Sequence, residues 1–200
     1  MTEPPDQLTW PATTARAADQ HYTSLFMLGG LASLVVAFLA VIEVIAFSLY
    51  PQPSTMAEWF DLFQGNPIIA LVDFWGLEIP MYAMFAMVFL ALYVALRGCN
   101  QAGMAIALTL ALLGIAIFLA TNNPFSMLSL SGRYAAATTD AQRSALLAAG
   151  EAVLTNTNQR AVGGFNTGLF LVSAAGLIVS LVMLKAHAFS RSIAYIGILA

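Results

Sequence analysis

What this chain lacks most is charge. Only 8% of its 200 residues are Asp, Glu, Lys or Arg, against 60% that are hydrophobic, and the mean hydropathy is +0.82. About a quarter of an ordinary soluble domain is charged, so the composition is that of an integral membrane protein. The seven basic residues form no stripe and no patch interleaved with aromatics, which argues against a nucleic-acid partner. Cysteine is nearly missing. Cys99 stands alone, so neither an internal disulfide nor a CxxC metal site can be built, and it reads as an inert thiol near a membrane surface. The two histidines, His21 and His187, flank crossings on one side and do not face each other across a bundle as a haem or zinc site needs. GxSxG, HExxH, Walker and GxGxxG patterns are absent, removing the usual hydrolase, metalloprotease and nucleotide signatures. The reading is therefore non-catalytic, with no cofactor and no metal. The first residues, MTEPPDQLTWPATTARAADQ, lack the basic start and short apolar run of a cleavable signal peptide. Residues 1–21 are expected to form a polar tail, mobile or lying on the surface, with Trp10 at the interface or against protein.

What is present is long apolar sequence. The stretch Asn66 to Arg97 exceeds the roughly twenty residues that cross a bilayer, yet it contains Asp73, Glu78 and Pro80. Pro80 cannot donate to the carbonyl of Gly76, so the helix should bend or open between these two positions. An all-α, polytopic helical bundle follows for residues 22–200. Its crossings are expected at about 25–50, 67–97, 102–121 and 162–184, with a partial one at 191–200. Ten residues do not span the hydrocarbon, so the sequence reads as the front part of a longer protein or as one ending in a partial helix. Between the first two crossings, MAEWFDLF alternates aromatics with Glu58 and Asp61. It predicts a short helix lying on the membrane surface, started by Ser54 or Thr55. The more polar segment 122–160 predicts two short helices on the membrane surface or on the bundle. One begins at Asn123-Pro124 and one at Thr139, which can form a capping box with Gln142. Leu146, Leu147, Gly150, Val153 and Leu154 would give the second an apolar face.

Helix contacts are predicted at small residues: Gly29 with Ser33 in the first crossing, and Gly164, Gly168 and Gly176 in the fourth. These faces also suit a protein partner or a second copy, besides the lipid bilayer itself. Arg16, Arg97, Lys185 and Arg191 flank alternate ends of the crossings, and the loop joining the first two has no Lys or Arg. The amino terminus is therefore read as cytoplasmic in a multi-pass protein of the cell membrane. Arg133, Arg143 and Arg160 oppose this, but they lie in a folded segment where charge weighs less.

The segments NPFSMLSLSGRYAAATTDAQRSALLAAGEAVL, QGNPIIALVD and ALYVALR resemble a bacterial family of multi-pass membrane proteins, catalogued as domain of unknown function four-three-eight-six. The resemblance covers most of residues 22 to 200 and is most specific in YAAATTDAQRSALLAAGEA. It implies a bundle of about six helices, of which this sequence supplies four and a beginning. It brings no activity, cofactor or site residue.

Candidate chemistry rests on Glu43, Asp73 and Glu78. In the predicted topology they lie roughly 8 to 17 Å from the outer ends of their helices and can meet in the outer half of the bundle. Asn122, Asn123, Asn166 and Thr167 add neutral oxygens nearby. Such a set suits a hard cation or a shared proton, giving a small transporter or an ion-responsive protein. The competing reading is an interaction or accessory component in which the acids are structural. Against convergence, Asp73 and Glu78 are about 140° apart on a regular helix. Met81, Met84 and Met87, beside Tyr82 and Phe85, read as packing, with a soft lining for an apolar ligand or Cu(I) as the alternative.

Overall fold

A computed structural model describes residues 12–49, 52–156, 167–186 and 190–199, all in helices and their connections. The elements are α1 (Ala12–Leu49), α2 (Met56–Gly65), α3 (Pro67–Leu71), a π-helical turn (Val72–Gly76), α4 (Glu78–Leu96), α5 (Gln101–Thr121), α6 (Pro124–Ala135), α7 (Asp140–Asn156), α8 (Thr167–Ala186) and α9 (Arg191–Leu199). Four stretches among the described residues are long and apolar enough to cross a bilayer: Tyr22–Leu49, Glu78–Leu96, Gln101–Ala135 and Thr167–Ala186. The protein is an all-α membrane bundle. Trp10, Gly164, Asn166 and His187 lie outside the described residues.

The chain builds two hydrophobic cores. In the first, α5 lies between α4 and α8, with α1 on the outer side of α4 and α9 on α8. Met104, Ala107, Ala111, Ile115 and Phe118 of α5 recur at helical spacing and meet Val172, Ala175, Val179 and Val182 of α8. Small residues set the distance: a Cβ at Gly114 would stand 2.6 Å from the Gly168 carbonyl oxygen, and one at Gly29 would stand 2.5 Å from Ala91 Cβ. The expected Gly29/Ser33 face is therefore half correct. Ser33 is exposed and donates its hydroxyl to Gly29 O at 2.8 Å, while the buried residue beside Gly29 is Ala32. Gly176 does not pack tightly either; nothing lies within 4 Å of a Cβ built there, and its carbonyl accepts from Ser180 Oγ at 2.8 Å.

The second core is a cap over one end of the bundle, made by α2, α3, the π turn, α6 and α7. Met56, Trp59, Phe60 and Phe63 of α2 are buried with Ala70, Phe74, Met127 and Leu154. Trp59 meets the Phe74 ring edge-on at 5.2 Å between centroids, and Phe60 meets Tyr134 at 5.1 Å. Thus the apolar face of α2, which its composition suggested would rest on a membrane surface, is turned into protein. Local starts are as the sequence indicates. Thr55 and Glu58 form a capping box on α2, Asn123 Oδ1 accepts from Phe125 N at 3.1 Å, and Thr139 Oγ1 accepts from Gln142 N at 3.2 Å. At Gly150, α7 comes so close to Met56 and Phe60 that a Cβ would sit 2.9 Å from the Phe60 ring.

Two differences from the sequence reading concern lengths. The helix α1 begins at Ala12, inside the segment read as a polar tail, and its 38 residues extend about 57 Å at 1.5 Å per residue. The second crossing is not one regular helix. Its spanning part begins at Glu78, and the preceding residues form the π turn that belongs to the cap.

Candidate functional site: a carboxyl pair beneath the cap

The helices α1 and α4 run antiparallel, and three contacts fix their register. Arg97 lies over the Tyr22 ring at 5.2 Å from its centroid, Gly29 meets Ala91, and Glu43 reaches Glu78 carboxyl to carboxyl. From Tyr22 to Glu43 the rise is about 32 Å, close to the roughly 30 Å of a hydrocarbon layer. If Arg97 marks one boundary, Glu43 and Glu78 mark the other. Glu78 is thus the first residue of the spanning helix, covered by the cap, and not buried many residues inside a crossing.

The π turn explains how Asp73 joins this level. A π turn closes i to i+5 where an α turn closes i to i+4, so it absorbs about one residue, or about 100° of rotation. The 140° offset expected between Asp73 and Glu78 falls to about 40°. Gly76 permits this geometry: the widened turn carries the Leu71 carbonyl over Gly76 Cα, where a Cβ would collide with it. The opening expected between Gly76 and Pro80 therefore lies just before Gly76. Pro80 occupies the first turn of α4, where its missing N–H matches the disturbed hydrogen bonding.

Asp73 is 2% exposed and Glu78 5% exposed, and none of their four carboxyl oxygens accepts a hydrogen bond from another residue. The half-buried Glu43 is the group that reaches Glu78, and two carboxylates offer each other acceptors only. Asp73 and Tyr82 lie near the pair. Tyr82 is stacked at 3.7 Å on Phe118. One turn beyond Phe118, at the level of Glu78, the amide of Asn122 donates to Phe118 O at 3.0 Å, while its Oδ1 is buried without a donor. Asn123, predicted to add an oxygen, uses it to cap α6. Among the described residues no three His, Cys, Asp or Glu side chains stand close enough to hold a metal ion. The arrangement is an acceptor-rich recess at the α1–α4 interface.

Sequence reasoning missed Gly114, whose isolation hid its role, and the Arg97–Tyr22 pair, joined further by a 3.4 Å bond from Arg97 Nη2 to Tyr22 Oη. No family model, no curated protein and no solved structure matches this chain.

Proposed function

We propose that the protein is a non-catalytic membrane component whose working element is a proton shared by Glu43 and Glu78, making it a small proton-linked transporter or a proton-responsive protein. The observation that carries this reading is the pairing of two carboxyls across the α1–α4 interface, with no other residue donating to Glu78. Two acids in contact, one of them buried and the other half-buried, cannot both keep a charge at low cost, so the interface gains a proton or loosens. The groups facing the pair are Asp73 on the π turn and Tyr82 on α4, and neither is a cation. Closing and loosening of α1 on α4 is then coupled to pH. Membership of the resembled bacterial family, a cytoplasmic amino terminus and an outward-facing cap belong to the same proposal. The orientation is supported by Arg97 and Lys185 at the end away from the cap and by the absence of Lys and Arg between residues 50 and 66, and the family membership rests on the resembling segments alone.

Dicyclohexylcarbodiimide, which attacks protonated carboxyls in apolar surroundings, tests the pair. Mass spectrometry of the treated protein should find modification at Glu43 or Glu78 at neutral pH, slowing as the pH rises. Absence of modification at both positions across the pH range would sink the proposal.

One observation favours a second reading, an accessory role through protein contact. The packing of α1 is on α4 and the π turn, and Leu31, Leu34, Phe38, Val41 and Val44 remain exposed along it. Lipid alone accounts for such a face, so this reading needs an observed partner. Site-specific photo-crosslinking from Leu34 in whole membranes would supply one, and crosslinks to lipid alone would remove the reading.

A further inference from the structure

Along the seam of α6 and α7, among the described residues, lie three open cavities of about 480, 580 and 340 Å³. They form one groove. Leu130 and Ala149 line both the first and the second, and Asn123, Ser126 and Val153 line both the second and the third. One end lies at Ala120 and Thr121, on the last turn of the spanning helix α5. The other lies at Arg133 and Gln142, and from Asn123 to Arg133 the rise along α6 is about 15 Å. Between the ends the walls are mainly apolar, with Leu146 beside the shared residues and Ser126 and Ser129 as polar exceptions. The Phe125 ring at the rim is 63% exposed.

Charge in this groove has one sign. Among the described residues no Asp, Glu or Lys lines it, and Arg133 stands exposed at its far end. The neutral amides have their oxygens engaged by the backbone: Gln142 Oε1 accepts from Thr138 N and Thr139 N, and Asn123 Oδ1 from Phe125 N. At the far end that leaves donors, the Arg133 guanidinium and the Gln142 amide N–H groups.

We infer that the groove binds a fatty acid, its carboxylate at Arg133 and Gln142 and its chain laid between α6 and α7 toward α5. Donors without acceptors call for an anionic head. A long apolar trough calls for a chain, which gains by leaving water, and an end on the last turn of a spanning helix lets that chain enter from the bilayer. None of Glu43, Asp73 and Glu78 lines the groove, so the inference goes beyond the proton-linked reading and either can fail alone.

The experiment uses the full chain in phosphatidylcholine bilayers at alkaline pH, where the acid is ionised, with palmitate carrying a mid-chain diazirine as probe. After illumination, mass spectrometry compares labelling of α6 and α7 with that of α1, whose exposed apolar residues report acid merely dissolved in lipid. Wild type should be labelled several times more densely on α6 and α7, and unlabelled palmitate should remove that excess while hexadecanol should not. Arg133→Gln should reduce it about fivefold, the strength of an ion pair at the edge of water, and Arg133→Lys should restore most of it. Gln142→Glu keeps an acceptor for the capping box but adds negative charge at the mouth, and should also reduce it. Glu43→Gln should leave it unchanged. Labelling of α6 and α7 no denser than that of α1, equal competition by hexadecanol, or labelling unchanged in Arg133→Gln and Gln142→Glu would each overturn the assignment and leave the groove to bilayer lipid or a protein partner.

Discussion

The cap and the bundle are both hydrophobic cores built from one chain, but they are held together in different ways. In the cap, four aromatic side chains from α2 and the π turn, Trp59, Phe60, Phe63 and Phe74, are buried together. Neighbouring helices are joined by a side-chain bond, Gln64 Nε2 to Ser131 Oγ at 3.0 Å. In the bundle Ala107, Ala111 and Ala175 are fully buried beside Leu96, and the closest approach of helices is at glycine facing backbone, as at Gly114. Water drives large rings inward. Lipid offers no such drive, and helices there gain by bringing backbones close. The acids sit at the seam, where the spanning helix α4 meets the cap through a π turn.

That contrast is open to test by substitution, starting with the largest effect. Phe74→Ala removes the ring shared by Trp59 and Phe63 and should cost about 3–5 kcal/mol of stability, read by denaturant unfolding and by faster proteolysis of the cap helices. A cost below about 1 kcal/mol would mean that the cap core is not the unit described. Gly114→Ala puts a Cβ against the Gly168 carbonyl, a backbone atom that cannot swing aside. It should cost about 1–3 kcal/mol in thermal unfolding in detergent, whereas the same change at Gly176, which meets open space, should be neutral or stabilise by about 0.5 kcal/mol. Equal effects at the two glycines would break the account of the bundle.

The Thr55 cap comes next. Thr55→Ala removes the acceptor for Glu58 N and should cost about 1 kcal/mol, read as a lower unfolding midpoint for the cap. Glu58 also adds a pH dependence of its own. The backbone N–H of Ser54, then the Ser54 hydroxyl and Thr55 N–H, hold its carboxyl below the usual carboxylate value. Its contribution is complete above that usual value and is lost as pH falls through the lower, folded one. Glu58→Gln should flatten the acid limb of cap unfolding, and an unchanged limb would show that Glu58 plays no part in it. The smallest effect is expected at Ser33. Its exposed hydroxyl serves only its own helix, so Ser33→Ala should change stability by less than about 0.5 kcal/mol.

Local signals were legible in the sequence. Thr55, Asn123-Pro124 and Thr139 with Gln142 all mark helix starts, because a cap is decided within four residues. The four crossings were legible from apolar length. What depends on tertiary register was not. Pro80 announced an irregularity but not its form, a π turn whose crowding falls on Gly76. The aromatics of α2 signalled burial, but composition could not distinguish a lipid surface from a second protein core. The glycine pattern of the fourth crossing pointed to Gly168 correctly and to Gly176 wrongly, because close contact depends on which face the neighbour approaches. Convergence of Glu43 with Glu78 was a supposition until antiparallel pairing of α1 with α4 placed the two side by side.

Infrared spectroscopy of the purified protein tests the shared proton most directly. At neutral pH the wild type should show the carbonyl stretch of a protonated carboxyl, shifted in heavy water, and that band should disappear in both Glu43→Gln and Glu78→Gln. A spectrum without such a band, or a band that survives both substitutions, would contradict the claim that these two residues hold a proton between them.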